Sequence, residues 1–260
     1  MRFESAEIAA WVGSFVWPLV RIAALVSVAP VFGSRLLPRR LRLILVVVLT
    51  WTVLPFIPPV PAVEPVSPAS LLITAQQVLI GMSMGFMLRL VFGALEVGGQ
   101  IIAMQMGLSF ASSVDPQNGA QLPLLSHFYT LIGTLAFLAL DGHLILIQVL
   151  VESFRTLPVA TLGLHTDALW TLASWASQMF GGAVLIALPA IASLMVVNLA
   201  FGVITRATPQ FNIFAVGFPI SLLLGLFIIL YSLPTLLPQL ERLLDAAFQT
   251  TRQLLAAGAG

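Results

Sequence analysis

Gly81-Met82-Ser83-Met84-Gly85 matches the G-x-S-x-G pattern of a serine nucleophile. That pattern works only where a strand turns sharply into a helix, and here it lies inside a continuous apolar run, Leu71 to Phe92. Gly81 and Gly85 are better read as small residues that let two helices approach closely. His127, His143 and His165 stand singly, with no H-E-x-x-H and no dense carboxylate cluster, so no metal site is expected. Asp141-Gly142-His143 is open to two readings. It is a proton relay if it lies within lipid, or a polar break between half-helices where Gly142 relaxes the backbone. The break is favoured, because a proton-coupled carrier needs further intramembrane acids that this chain lacks. With no cysteine either, the residues offer no catalytic site, metal or cofactor.

The elements around these residues follow from composition. Apolar residues make up 59% of the 260, and charged residues only 8%, against roughly 25% in a soluble domain. Mean hydropathy is +1.06, so the side chains cannot give a globule of this size a polar skin. The chain belongs in lipid or in an assembly that hides its surface, and a net charge of +1 argues against nucleic acid. The N-terminus does not read as a cleaved signal, since Arg2 is outweighed by Glu4 and Glu7 and the run Ile8 to Phe32 is too long. Five more apolar runs follow: Leu41 to Val63, Leu71 to Phe92, Leu122 to Val151, Ala168 to Ile204 and Phe211 to Leu237. Six spans is the plain count. Ala168 to Ile204, with Pro189 inside, is too long for one straight span, and Ala94 to Phe110 is apolar enough for a short extra helix. The expected fold is therefore an all-α membrane protein of about six to eight hydrophobic helices, helical because backbone in lipid must satisfy itself. Residues 1–240 form one membrane-embedded domain in this reading, and residues 241–260 a short amphipathic tail.

Arginines are the costly residues. One at the centre of a span costs about 2.5 to 3.5 kcal/mol on insertion scales, so Arg21, Arg89 and Arg206 must snorkel, pair or face a wet interior. Arg89 either pairs with Glu96, seven residues on, or marks a membrane edge. Gly33 to Arg42 carries four arginines and no acid, the clearest cytoplasmic signal. Pro55 to Pro68 holds six prolines and reads as a stiff extended linker.

Met104 to Pro123 is too polar to span and too apolar for an exposed loop. Gly107, Asp115-Pro116, Asn118-Gly119 and Pro123 prevent a helix from running through it. Five of the eight methionines lie between Met82 and Met106, leading into it. Methionine and phenylalanine make a soft surface that can close around a lumen and reopen. Non-helical backbone at membrane depth survives only in protein or beside a cavity. The segment is thus a constriction or plug at about 104–123, or else an ordinary interfacial loop.

GLSFASSVDPQNG (Gly107 to Gly119), the stretch Phe128 to Val159 and NLAFGVITRATPQFNIFAVGFPISLLLG (Asn198 to Gly225) resemble the flagellar biosynthetic protein FliR family, as does APVFGSRLLPRRLR (Ala29 to Arg42). The resemblance runs from about residue 10 to 240. It implies a non-catalytic subunit of the type III protein export gate at the base of the flagellum, in the bacterial inner membrane. Its helices would be tilted hairpins in a hetero-oligomeric channel complex with FliP, FliQ and FlhB, through which unfolded flagellar proteins pass. The family's plug loop matches Met106 to roughly Pro116, with Gly107, Leu108, Phe110, Asp115 and Pro116 inside it, and Met104 just before it is assigned to the same loop. Ser112-Ser113-Val114 is smaller here than in many flagellar relatives. Arg206 and Pro209 fall at a subunit contact or the cytoplasmic mouth. The injectisome SctT family is the near alternative. A secondary transporter is a more distant one, since inverted repeats are not visible.

Overall fold

A computed structural model of the chain describes residues 5–33, 37–64, 67–108, 124–161, 163–208 and 213–257. Most of these are helical, with no strand among them. We number the helices α1 (Ser5–Val28), α2 (Arg39–Val53, extended by a 3-10 turn Leu54–Phe56), α3 (Pro68–Gln105), α4 (Leu124–Ala139), α5 (Gly142–Thr156), α6 (Thr166–Ser174), α7 (Ala176–Ala207) and α8 (Ile213–Ala257). Four described stretches are long and apolar enough to cross a membrane: Trp11–Val28, Pro68–Gln105, Thr166–Ala207 and Gly217–Ala257. Counting the broken pair α4 and α5 as one span makes five.

That count is lower than the six apolar runs, for local reasons. Leu41 to Val63 is helical only to Val53, with one 3-10 turn after it, because Pro55 and the prolines beyond cannot donate to a helix. Ala94 to Phe110 is not a separate helix, since α3 runs unbroken to Gln105. Glu96 and Gln100 lie on its exposed side, so neither has to be buried. In the run from Ala168 to Ile204 the helix is interrupted at Trp175, and Pro189 sits inside α7. Residues 241–257, expected as a tail, are the last turns of α8.

Asp141 makes the break between α4 and α5 by taking the left-handed conformation itself (φ 55°), while Gly142 begins α5. The short polar side chain of aspartate tolerates that region better than most residues. Accordingly, the turn lies one residue before the glycine expected to relax it.

Two compact units are present. The first comprises Met1–Leu90, Leu138–Ala176 and Leu244–Gly260. Ile22, Leu25 and Val26 of α1 are buried there, with Ile73, Ile80, Met84 and Leu88 of α3 and Val149, Leu150 and Phe154 of α5. Ile73, Ile80, Met84 and Leu88 recur at spacings of seven, four and four along one side of α3, and burial extends to other sides of this helix as well. The second unit comprises Val91–Phe137 and Ser177–Leu243. Its core holds Leu95, Ile102 and Met106 of α3, Phe137 of α4, Ile186 and Leu194 of α7, and Leu240 of α8. Phe92 and Phe137 meet edge to face at 5.9 Å between ring centroids, a favoured aromatic geometry.

Candidate functional site

Within the second unit, α3 ends where the candidate plug segment begins. Gly107 has φ 78° and its N–H donates to the carbonyl of Met104 at 3.0 Å, a left-handed stop to the helix. The N–H of Met106 still donates to Ile102, 3.0 Å away, so Met106 is the last residue held in the helical ladder. Its side chain is 1% exposed, whereas Met104 is 51% exposed and Leu108 half-buried. Met106 lies over Gly225 of α8, in the space that a side chain there would need. A Cβ on Gly225 would stand 2.5 Å from Met106 Cγ and 2.7 Å from its Sδ. The chain therefore leaves α3 from a point fixed by side-chain packing as well as by the backbone hydrogen bond of Gly107.

Sequence reasoning named Met106 but missed Gly225 as its seat, because an isolated glycine in an apolar helix carries no sign of what faces it. Gly225→Ala must push Met106 away and is expected to destabilise the second unit by about 1 to 3 kcal/mol. Combining it with Met106→Ala should recover part of that loss. Thermal midpoints of the four proteins form the cycle, and additive losses would show that the two residues do not share a site. Of the other residues assigned to the segment, Phe110, Asp115 and Pro116 lie outside the described residues, as does Pro209. Arg206 is exposed in the last turn of α7.

The α3 contacts in this unit are also close. A Cβ on Gly99 would lie 2.9 Å from the carbonyl oxygen of Leu125 at the start of α4. Ser126 Oγ donates to the carbonyl of Glu96 at 2.8 Å. Backbone-to-backbone approach and this bond together fix where α4 starts against α3.

In the first unit Gly81 and Gly85 face α1. A Cβ on Gly81 would run into the carbonyl oxygen of Arg21 and stand 2.8 Å from Ala24 Cβ. One on Gly85 would be 2.8 Å from the carbonyl oxygen of Leu25. Between them Ser83 donates to the carbonyl of Ile80 at 2.8 Å, as a hydroxyl does in the middle of a helix.

Next to this contact is the centre that sequence reasoning left unexplained. Arg21 is fully buried. Its Nε donates to Gln77 Oε1 at 2.7 Å, and its Nη1 to the carbonyl and hydroxyl oxygens of Ser153 at 2.8 and 3.1 Å. Nη2 donates to the carbonyl of Leu157 at 2.8 Å, and the guanidinium lies 4.2 Å from the centroid of the Phe154 ring. The carbonyls of Ser153 and Leu157 belong to the C-terminal end of α5, where the negative end of the helix dipole lies, and that of Ser153 also accepts the N–H of Leu157. Instead of a carboxylate, the buried cation thus has a helix terminus, an amide and an aromatic face. Three helices meet on one side chain. Glu152, beside Ser153, is half-buried and pairs with Arg252 of α8 at 3.0 Å.

Among the described residues no three of His, Asp and Glu gather as metal ligands would. Arg89 and Glu96 are both exposed on α3.

Residues 12–247 match the model of the family described as bacterial export proteins, family 1. The chain is 37% identical to the flagellar biosynthetic protein FliR of Pectobacterium carotovorum subsp. carotovorum, covering 98% of this chain and 97% of that protein. It is 35% identical to the FliR of Escherichia coli (strain K12), covering 98% of each. With the FliR of Aquifex aeolicus (strain VF5) it shares 37% identity over 82% of this chain and 83% of that one.

Proposed function

The chain belongs to the bacterial export proteins, family 1, with FliR relatives matched along nearly its whole length, and from that membership we propose that it is a subunit of the flagellar protein export gate. In this role it sits in the bacterial inner membrane with other export-gate membrane subunits, of which FliP, FliQ and FlhB are the expected ones. Together they enclose a conduit for unfolded flagellar proteins. The segment at about 104–123 closes that conduit between substrates, its methionine and phenylalanine side chains excluding water and ions until a passing chain displaces them. Arg206 and Pro209 fall at a subunit contact or at the cytoplasmic mouth. No step of this role makes or breaks a covalent bond.

The observation that carries the reading is the exit from α3. Met106 is buried on Gly225 and Gly107 has a left-handed backbone, so the segment that follows starts from a closely packed root. A plug needs such a root, because a closure that drifts with its own support cannot hold a seal. Further support comes from α7 and α8, which leave much apolar surface uncovered within the chain, including Val196, Leu199, Phe227 and Tyr231. Surface of that kind suits lipid or neighbouring subunits.

Deleting Gly107 to Pro116 tests the plug. Cells carrying the deletion should leak small ions and solutes, while the protein still co-purifies with its partner subunits. Unchanged membrane permeability with an intact complex would reject the closure, and loss of co-purification would reject the claim that the segment is separable from assembly.

A further inference from the structure

We infer that α2 presents a lipid-facing surface that selects anionic phospholipid, with Arg39 and Arg40 holding the headgroup phosphate and the apolar face below them holding the acyl chains. The surface starts from the helical period. Val46, Thr50 and Val53 are the buried residues of α2, on the side turned to α1, its neighbour in the fold. Across the helix from them Arg40, Ile44, Val47 and Trp51 follow one another at spacings of four, three and four, and all are exposed. Ile44 is 58% exposed and Trp51 74%. One stripe therefore carries a cation at its first turn, aliphatic side chains along its length and an indole toward its far end.

Charge decides the occupant. From residue 8 to residue 63 the chain has no aspartate or glutamate. Among the described residues neither Arg39 nor Arg40 meets a carboxylate. Arg40 heads the exposed aliphatic stripe, while Arg39, at the same level of the helix, is exposed on the side of Val46 and Val53. A cation at the head of an apolar stripe matches a phospholipid, which has a phosphate at one end and hydrocarbon at the other. At 15 residues α2 is about 22 Å long, short of the ~30 Å needed to cross the hydrocarbon layer alone. Its apolar stripe is thus explained by lateral contact with lipid rather than by a complete span.

The absence of cysteine from this chain makes the test direct. A Val47→Cys variant would carry an environment-sensitive fluorophore. The full chain, purified with its co-purifying membrane proteins, would be placed in vesicles containing a spin-labelled phosphatidylglycerol or the matching phosphatidylcholine. The cysteine-free chain treated identically supplies the background. We expect quenching by both lipids, stronger with phosphatidylglycerol. Arg39→Gln with Arg40→Gln should reduce that preference by about five-fold for each arginine while leaving quenching by phosphatidylcholine unchanged. No quenching by either lipid would mean that protein covers the face, and would overturn the inference. Equal quenching by both lipids, or a preference that survives the double substitution, would overturn the headgroup assignment.

Discussion

Arg21→Met is expected to destabilise the protein by about 3 kcal/mol, with a correspondingly low level in the membrane. Methionine fills much of the same volume but donates nothing, so Gln77 Oε1 and the carbonyl of Leu157 each lose the charged donor they now have. An acceptor left unsatisfied in a buried site costs roughly 1 to 3 kcal/mol. Part of that is offset because a cation no longer has to be held out of water, which is why the losses do not simply add. The carbonyl of Ser153 keeps the N–H of Leu157 at 3.0 Å and suffers least. Arg21→Lys should recover less than half of the loss. One ammonium has to serve acceptors that the planar guanidinium reaches from three different nitrogens. Thermal midpoints of the purified assembly, with the amount of each variant in the membrane, make the measurement. If Arg21→Met lies within 0.5 kcal/mol of the parent, on the order of an ordinary surface substitution, the three-helix junction does not depend on this side chain.

The Gly81→Asp variant should yield almost no assembled protein. A Cβ at this position already collides with the carbonyl oxygen of Arg21, so even Gly81→Ala must part α1 from α3, at about 1 to 3 kcal/mol. Aspartate adds a carboxylate in a contact without room for water, and its desolvation costs several kcal/mol more. The displaced carbonyl belongs to the residue whose guanidinium joins α1 to α3 and α5, so the clash would also pull on that junction. Gly85→Asp should behave similarly, with Leu25 as the obstructing residue. Complex recovered from membranes in mild detergent, relative to the parent and to the alanine variants, decides the matter. Normal recovery of Gly81→Asp would mean that α1 and α3 separate at little cost.

How much of this was legible in advance differs from residue to residue. Gly81 and Gly85 stood out because their four-residue spacing puts them on one helix face, and spacing is a property of sequence. Gly225 had no such companion, and its meaning depends on Met106, more than a hundred residues away. Arg21 was conspicuous as a cation in an apolar run, yet its partners were not. Two of them are backbone carbonyls that any residue type would supply, so no choice of amino acid at 153 or 157 could announce them. Prolines after Val53 were legible as a helix stop, while Pro189 in α7 was not legible as tolerated. Whether a helix survives the loss of one N–H depends on the packing around it.

Composition and periodicity by themselves determined that this chain is helical and lives in a membrane, since so few charges cannot clothe a soluble globule and backbone in lipid must bond to itself. The ordered blocks from Ala29 to Gly225 were sufficient to reach its family. Only the tertiary structure decided which apolar runs are single helices long enough to span, where the root of the candidate plug is anchored and how a buried arginine is accommodated. Each of these depends on atoms distant along the chain being brought within a few ångströms, and hydropathy, which treats every neighbour as solvent or lipid, carries no record of that proximity.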